Sequence, residues 1–103
     1  MTMEINRNEQ LTIGTTASVV SVEKNNANLR RNSIILINTS TGGQVITISI
    51  DAEAVANQGI VLNPGGNWSD SRGDTYYPTQ ALITAISDLA DGKLSIQERT
   101  GDM

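Results

Sequence analysis

The sequence predicts an all-β protein, a single jelly-roll-like β-sandwich of about seven to eight short antiparallel strands. Three observations carry that prediction. The apolar mass is Ile, Val, Leu and Ala, with no Phe and only Trp68, Tyr76 and Tyr77 as aromatics. Its β-branched members, Ile and Val, fit a pleated, half-buried surface and lose rotamer freedom in helices. Val45 to Ile50, VITISI, alternates strictly, with Ile46, Ile48 and Ile50 on one face and Val45, Thr47 and Ser49 on the other. Turn-forming clusters of Gly, Asn, Asp and Pro recur at roughly 8–12-residue intervals, with no long helical pattern between them.

Residues 1–9 are polar and read as a flexible N-terminal arm, leaving residues 10–103 as the domain. Leu11 to Ile13 is a weak strand ended by Gly14, and Ala17 to Glu23 is a better one. Ser33 to Asn38, SIILIN, is a continuous apolar run of strand length, the kind covered on both faces. Thr39 to Gly43 then reads as a hairpin turn into the alternating strand 45–50. Asp51 to Gln58 is the one candidate for a short helix, with Asp51 as cap and Gly59 as stop. Gly59 to Leu62 is a short strand, Asn63 to Gly66 a turn, and Asn67 to Asp70 an edge strand. After a loop over 71–78, strands are expected at 80–87 and 94–99, joined by a hairpin at Asp91-Gly92. The core candidates are Leu36, Ile46, Ile48, Ile50, Ile83, Ile86, Leu94 and Ile96.

At 103 residues the chain is the size of one domain. Its net charge of −4 argues against unaided nucleic-acid binding, because the only basic doublet is Arg30-Arg31. No stretch approaches the ~20 apolar residues of a membrane helix. The first ten residues, MTMEINRNEQ, lack the apolar core of a signal peptide, so synthesis in a cytoplasm is expected.

His and Cys are both absent. Their absence removes the commonest general base, the thiolate nucleophile and the usual zinc ligands, and excludes a Ser-His-Asp triad within one chain. No phosphate-binding loop or dinucleotide fingerprint occurs. Asp70 and Asp74 lie near the aromatics, a grouping compatible with a sugar site, but they read more simply as loop acids. A calcium site from Asp88, Asp91 or Asp70 and Asp74 matches no calcium-loop spacing, and these read as turn residues. The expectation is a protein with no enzymatic activity, no metal and no cofactor. Arg72-Gly73-Asp74 is a chance tripeptide on this reading, and the sequons at Asn38 and Asn67 carry no weight without a secretory route.

From Arg31 onward, four segments follow one another: RNSIILINTS, GGQVITISI, GIVLNPGGNWSDS and YYPTQALITAISDLADGKLSIQER. This order resembles that of small bacteriophage virion proteins over about two-thirds of the chain. The motifs encode strands and turns, with no site among them. The resemblance implies a virion structural protein. Its foremost form is a capsid decoration (cement) protein that binds the major capsid protein or other virion proteins and stabilises the head. The alternative is a receptor- or carbohydrate-binding fibre or tail module. The resemblance also implies a homo-oligomer, with a trimer favoured, and a place on the capsid surface. Partner-binding candidates are Met3, Ile5 and Arg7 in the arm, and Trp68, Arg72, Tyr76 and Tyr77 around the aromatic loop. Aromatics and Arg are enriched in protein interfaces.

Overall fold

A computed structural model describes residues 4–24 and 29–101. The described residues form eight strands: β1 (Glu4–Ile13), β2 (Ser18–Ser21), β3 (Arg30–Asn38), β4 (Ile46–Ile50), β5 (Ile60–Leu62), β6 (Asn67–Ser71), β7 (Ile83–Ser87) and β8 (Gly92–Gly101). They make two four-stranded antiparallel sheets, one ordered β1-β8-β3-β6 and the other β2-β7-β4-β5. The fold is the expected small β-sandwich. Successive strands change sheet at every step except β4 to β5, which is jelly-roll connectivity.

The core lies between the sheets. Ile34 and Leu36 of β3, Leu94 and Ile96 of β8, and Ile13 of β1 come from the first sheet. Ile46, Ile48, Ile83, Ala85, Val20 and Leu62 meet them from the second. Period-two alternation explains the choice, since the residues between them face outward. Two core candidates differ. Ile50 is half-buried at the end of β4, and Ile86 lies opposite Thr47 on the outer face of the second sheet.

The N-terminal arm is the largest correction. Residues 4–9 form the first part of β1 and pair with β8 from Glu4↔Gly101 to Glu9↔Ile96. The inward positions of this half-strand hold Ile5, Arg7 and Glu9, so its alternation is masked by charge. Residues 1–3 lie outside the described residues.

The turns at 39–43, 63–66 and 88–91 are corners between sheets, where hairpins were expected at 39–43 and Asp91-Gly92. Turn residues set a reversal; they do not set which sheet receives the next strand. Only β4 and β5 are consecutive and paired. The segment 51–58 between them forms a turn with a Val55↔Gln58 bridge in place of the expected helix. It crosses the outer face of the second sheet, where Thr84 Oγ1 donates to Ala52 O and Asn57 N donates to Thr47 Oγ1. Gly59 closes it at φ 144°, where a Cβ would stand 2.6 Å from the Ile48 carbonyl oxygen.

Both ends of β3 carry fully buried polar side chains, Arg31 and Asn38. Asn38 Nδ2 donates to Gln44 O and Leu62 O, each at 2.8 Å, and Asn38 Oδ1 accepts from Ser40 N. One amide thereby ties the first sheet to two segments of the second.

Candidate functional site

Inward alternation along β8 runs Leu94, Ile96, Glu98, Thr100, so it delivers a carboxylate into the sandwich. A bulge between Arg31 and Ser33 turns the Arg31 side chain inward beside it. Arg31 Nε donates to Glu98 Oε2 at 2.8 Å. Its Nη1 donates to Thr79 O and Ala81 O, and its Nη2 to Ser21 Oγ and Val22 O. Ser21 Oγ donates to Glu98 Oε2 at 2.5 Å. Gln80 adds a backbone clamp, accepting from Arg31 N and donating to Arg31 O. Burial pushes the Glu98 carboxyl upward. The hydrogen bonds from Ser21 and Arg31 and the charges of Lys24 and Arg31 outweigh it, holding Glu98 below the usual carboxylate range. The Arg31 guanidinium is thereby fully hydrogen-bonded, and the pair acts as a structural strut.

The other Glu98 oxygen faces a cleft. Arg7 Nη1 and Lys24 Nζ each lie 3.9 Å from Oε1, beyond hydrogen-bonding distance. Arg7 also donates to Val20 O, across the gap between β1 and β2, and pairs with Glu9. Those two strands are the edges of their sheets on this flank. The cleft between them has a volume of about 550 Å³ and is walled by Ile5, Val19, Val22 and Leu29 above the charged floor. Ile5, Val19 and Val22 are 49%, 55% and 59% exposed, a cluster of large apolar side chains facing solvent.

The aromatic loop stands at the opposite flank, against the β6 edge. Tyr76 donates its hydroxyl to Asp70 Oδ1 at 2.6 Å, and Asp70 Oδ2 accepts from Thr79 N. The Asp70 hydrogen bond, with some desolvation and the carboxylate charge, raises the Tyr76 phenol above its ordinary range. Gly73 N donates to Tyr76 O, and Arg72 lies over the Tyr77 ring at 5.6 Å. The loop thus presents two exposed tyrosines on a braced backbone.

The predicted partner-binding residues fall into two groups that the fold keeps apart. Ile5 and Arg7 line the cleft, while Arg72, Tyr76 and Tyr77 belong to the loop. Trp68 faces inward opposite Leu36 and packs half-buried on the core. Met3 lies outside the described residues. Sequence reasoning missed Val19, Val22 and Lys24 as cleft residues, and the Arg31–Glu98 pair. The continuation of the Leu94, Ile96 alternation to Glu98 was the available signal for the pair. No group of three or more Asp or Glu side chains suited to a metal occurs among the described residues.

No protein-family model matches the sequence, and no curated protein matches it. Among solved structures, the chain is similar to one from Bacillus endospore appendages, described as a novel family of disulfide-linked pili. The two share 16% identity with a TM-score of 0.54, over 99% of this chain and 89% of that one. The likeness extends to the fold.

Proposed function

We propose that this chain is a non-enzymatic structural subunit of a multi-subunit assembly, joined to its neighbours along the exposed edges of its two sheets. The carrying observation is the direction of the edge strands. Each sheet is antiparallel throughout and has four strands, so its two edge strands run in opposite directions. A copy displaced sideways sets its β1 antiparallel to β6 of the first copy, and its β2 antiparallel to β5. Both ladders then continue, and the unpaired N–H and C=O groups of the edges find partners.

Following the resemblance to phage virion proteins, the finer reading is a capsid decoration protein, working as a homo-oligomer on the head surface against the major capsid protein. The similarity to an endospore appendage chain favours a second reading, a subunit of a surface filament. With no Cys in the sequence, contacts between copies in either assembly would not be disulfide-linked. The test is fractionation of producing cells, followed by electron microscopy of the fraction that holds the chain. Co-sedimentation with phage heads supports decoration, and fibres containing the chain support the appendage reading. A chain recovered only as free monomer refutes both.

A further inference from the structure

The register of the first sheet places the two candidate surfaces at one level. Arg7 pairs with Glu98, Glu98 with Ile34, and Ile34 with Asp70, so one cross-strand row runs from the cleft to the residue that braces Tyr76. The row spans the full sheet, β1 to β6. Four strands at about 4.8 Å apiece make it roughly 19 Å wide, near the 21 and 22 Å short dimensions of the molecule. A shift of one molecular width along this row carries the aromatic loop of one molecule to the cleft of the next, at the same height.

The surfaces also match in character. The loop projects Tyr76 and Tyr77, 54% and 59% exposed, and carries the exposed Asp74. The cleft offers Ile5, Val19 and Val22 as apolar walls, with the cations Arg7 and Lys24 and the acid Glu23 also lining it; Arg7 already pairs with Glu9, and Glu98 with Arg31. A volume of about 550 Å³ lies in the range that takes bulky ligand groups (~300–1,000 Å³). A tyrosine entering it has a route to bury its ring on valine and isoleucine and to set the ring against a guanidinium.

We infer that the Tyr76–Tyr77 loop of one copy docks into the β1/β2 cleft of a second copy. This inference rests on the structural-subunit reading and supplies its contact. Loop and cleft are different surfaces on opposite flanks, so the contact is heterologous, and repetition produces an open chain of molecules. The contact is a side-chain knob in a hole, and it orients the edge strands before they pair.

Complementation tests it with the full chain. One variant loses the knob (Tyr77→Ala, alone and with Tyr76→Ala), and the other spoils the hole (Val22→Asp). Both sites are exposed, and circular dichroism with thermal melting verifies the fold of each variant. By sedimentation velocity over a concentration series, each variant alone should self-associate about 30-fold more weakly, the effect of losing a buried aromatic anchor. An equimolar mixture should form a discrete heterodimer, because the knobless chain keeps its hole and the spoiled chain keeps its knob. If either variant assembles as the wild type does, or the mixture stays monomeric while the wild type assembles, the docking is refuted and the subunit reading stands. A wild-type chain that is monomeric at every concentration also refutes docking between copies; co-sedimentation with particles then decides the subunit reading separately.

Discussion

Replacing Arg31 with methionine keeps much of the side-chain volume and deletes five hydrogen bonds. Three of them end on the carbonyls of Val22, Thr79 and Ala81, in the segments that lead out of β2 and into β7. Glu98, 3% exposed, is left with Ser21 and two cations at 3.9 Å. Breaking a buried ion pair by removing one partner costs about 3–5 kcal/mol. The three stranded carbonyls lie in part-buried segments, and their loss is counted within that range rather than added to it. A loss of about 4 kcal/mol is expected, equivalent to roughly 15–30 °C in Tm for a domain of this size. Glu98→Gln should cost less, about 2 kcal/mol, because its carbonyl oxygen still accepts from Arg31 and the guanidinium keeps its backbone acceptors. The double change Arg31→Met, Glu98→Leu should be more stable than Arg31→Met alone, since no charge remains buried. Urea unfolding followed by fluorescence of the sole tryptophan, half-buried Trp68, measures all four proteins. An Arg31→Met loss below ~1 kcal/mol, or a double variant no better than the single, refutes the strut assigned to this pair.

The depressed Glu98 pKa gives a pH counterpart. A carboxyl whose folded pKa lies below its unfolded value stabilises the protein above that unfolded value, about 4.3. The contribution fades as pH falls through that value toward the folded pKa, so wild-type stability should drop below about pH 4 more steeply than that of Glu98→Gln. Gly59→Ala places a Cβ 2.6 Å from Ile48 O at φ 144° and should cost more than about 2 kcal/mol in urea unfolding. Asn38→Ala leaves Gln44 O, Leu62 O and Ser40 N without their partner and should lower stability by ~2–4 kcal/mol, with a fall in Tm as the readout. Spectrophotometric titration of Asp70→Asn should show a tyrosine that ionises at lower pH than in the wild type, because the carboxylate that raises Tyr76 is gone.

Strands with uninterrupted alternation were legible. Ile46 and Ile48 announced β4, and Leu94 and Ile96 announced β8. The first half of β1 was illegible for a physical reason: its inward positions hold Arg7, which lies beside Glu98 and reaches Val20 O across the strand gap, and Glu9, which pairs with Arg7. A charge that solves a tertiary problem looks like solvent-facing sequence when read alone. The bulge at Asn32 hid Arg31 in the same way, since one extra residue shifts the inward parity by one. Of the candidate site, the chemistry was visible and the placement was not. Tyr76 and Tyr77 stood out by rarity, whereas the cleft depends on β1 and β2 meeting at one flank, a pairing of edges that no local pattern encodes.

The position of β8 between β1 and β3 bears on how the chain folds. The first sheet has only its β3–β6 ladder until its latest strand arrives, because β8 is the sole neighbour of β1 and the larger neighbour of β3. Closing Glu4 onto Gly101 also closes nearly the whole described chain into one loop, and that entropy is spent before the contacts it permits are made. Folding should therefore be slow for a domain of this size, with the second sheet able to gather first around the β4–β5 hairpin. Until β8 docks, β1 has no strand beside it and β3 has only β6, so one side of β3 and both sides of β1 stay open to another molecule, and crowding of nascent chains is the condition under which misassembly competes.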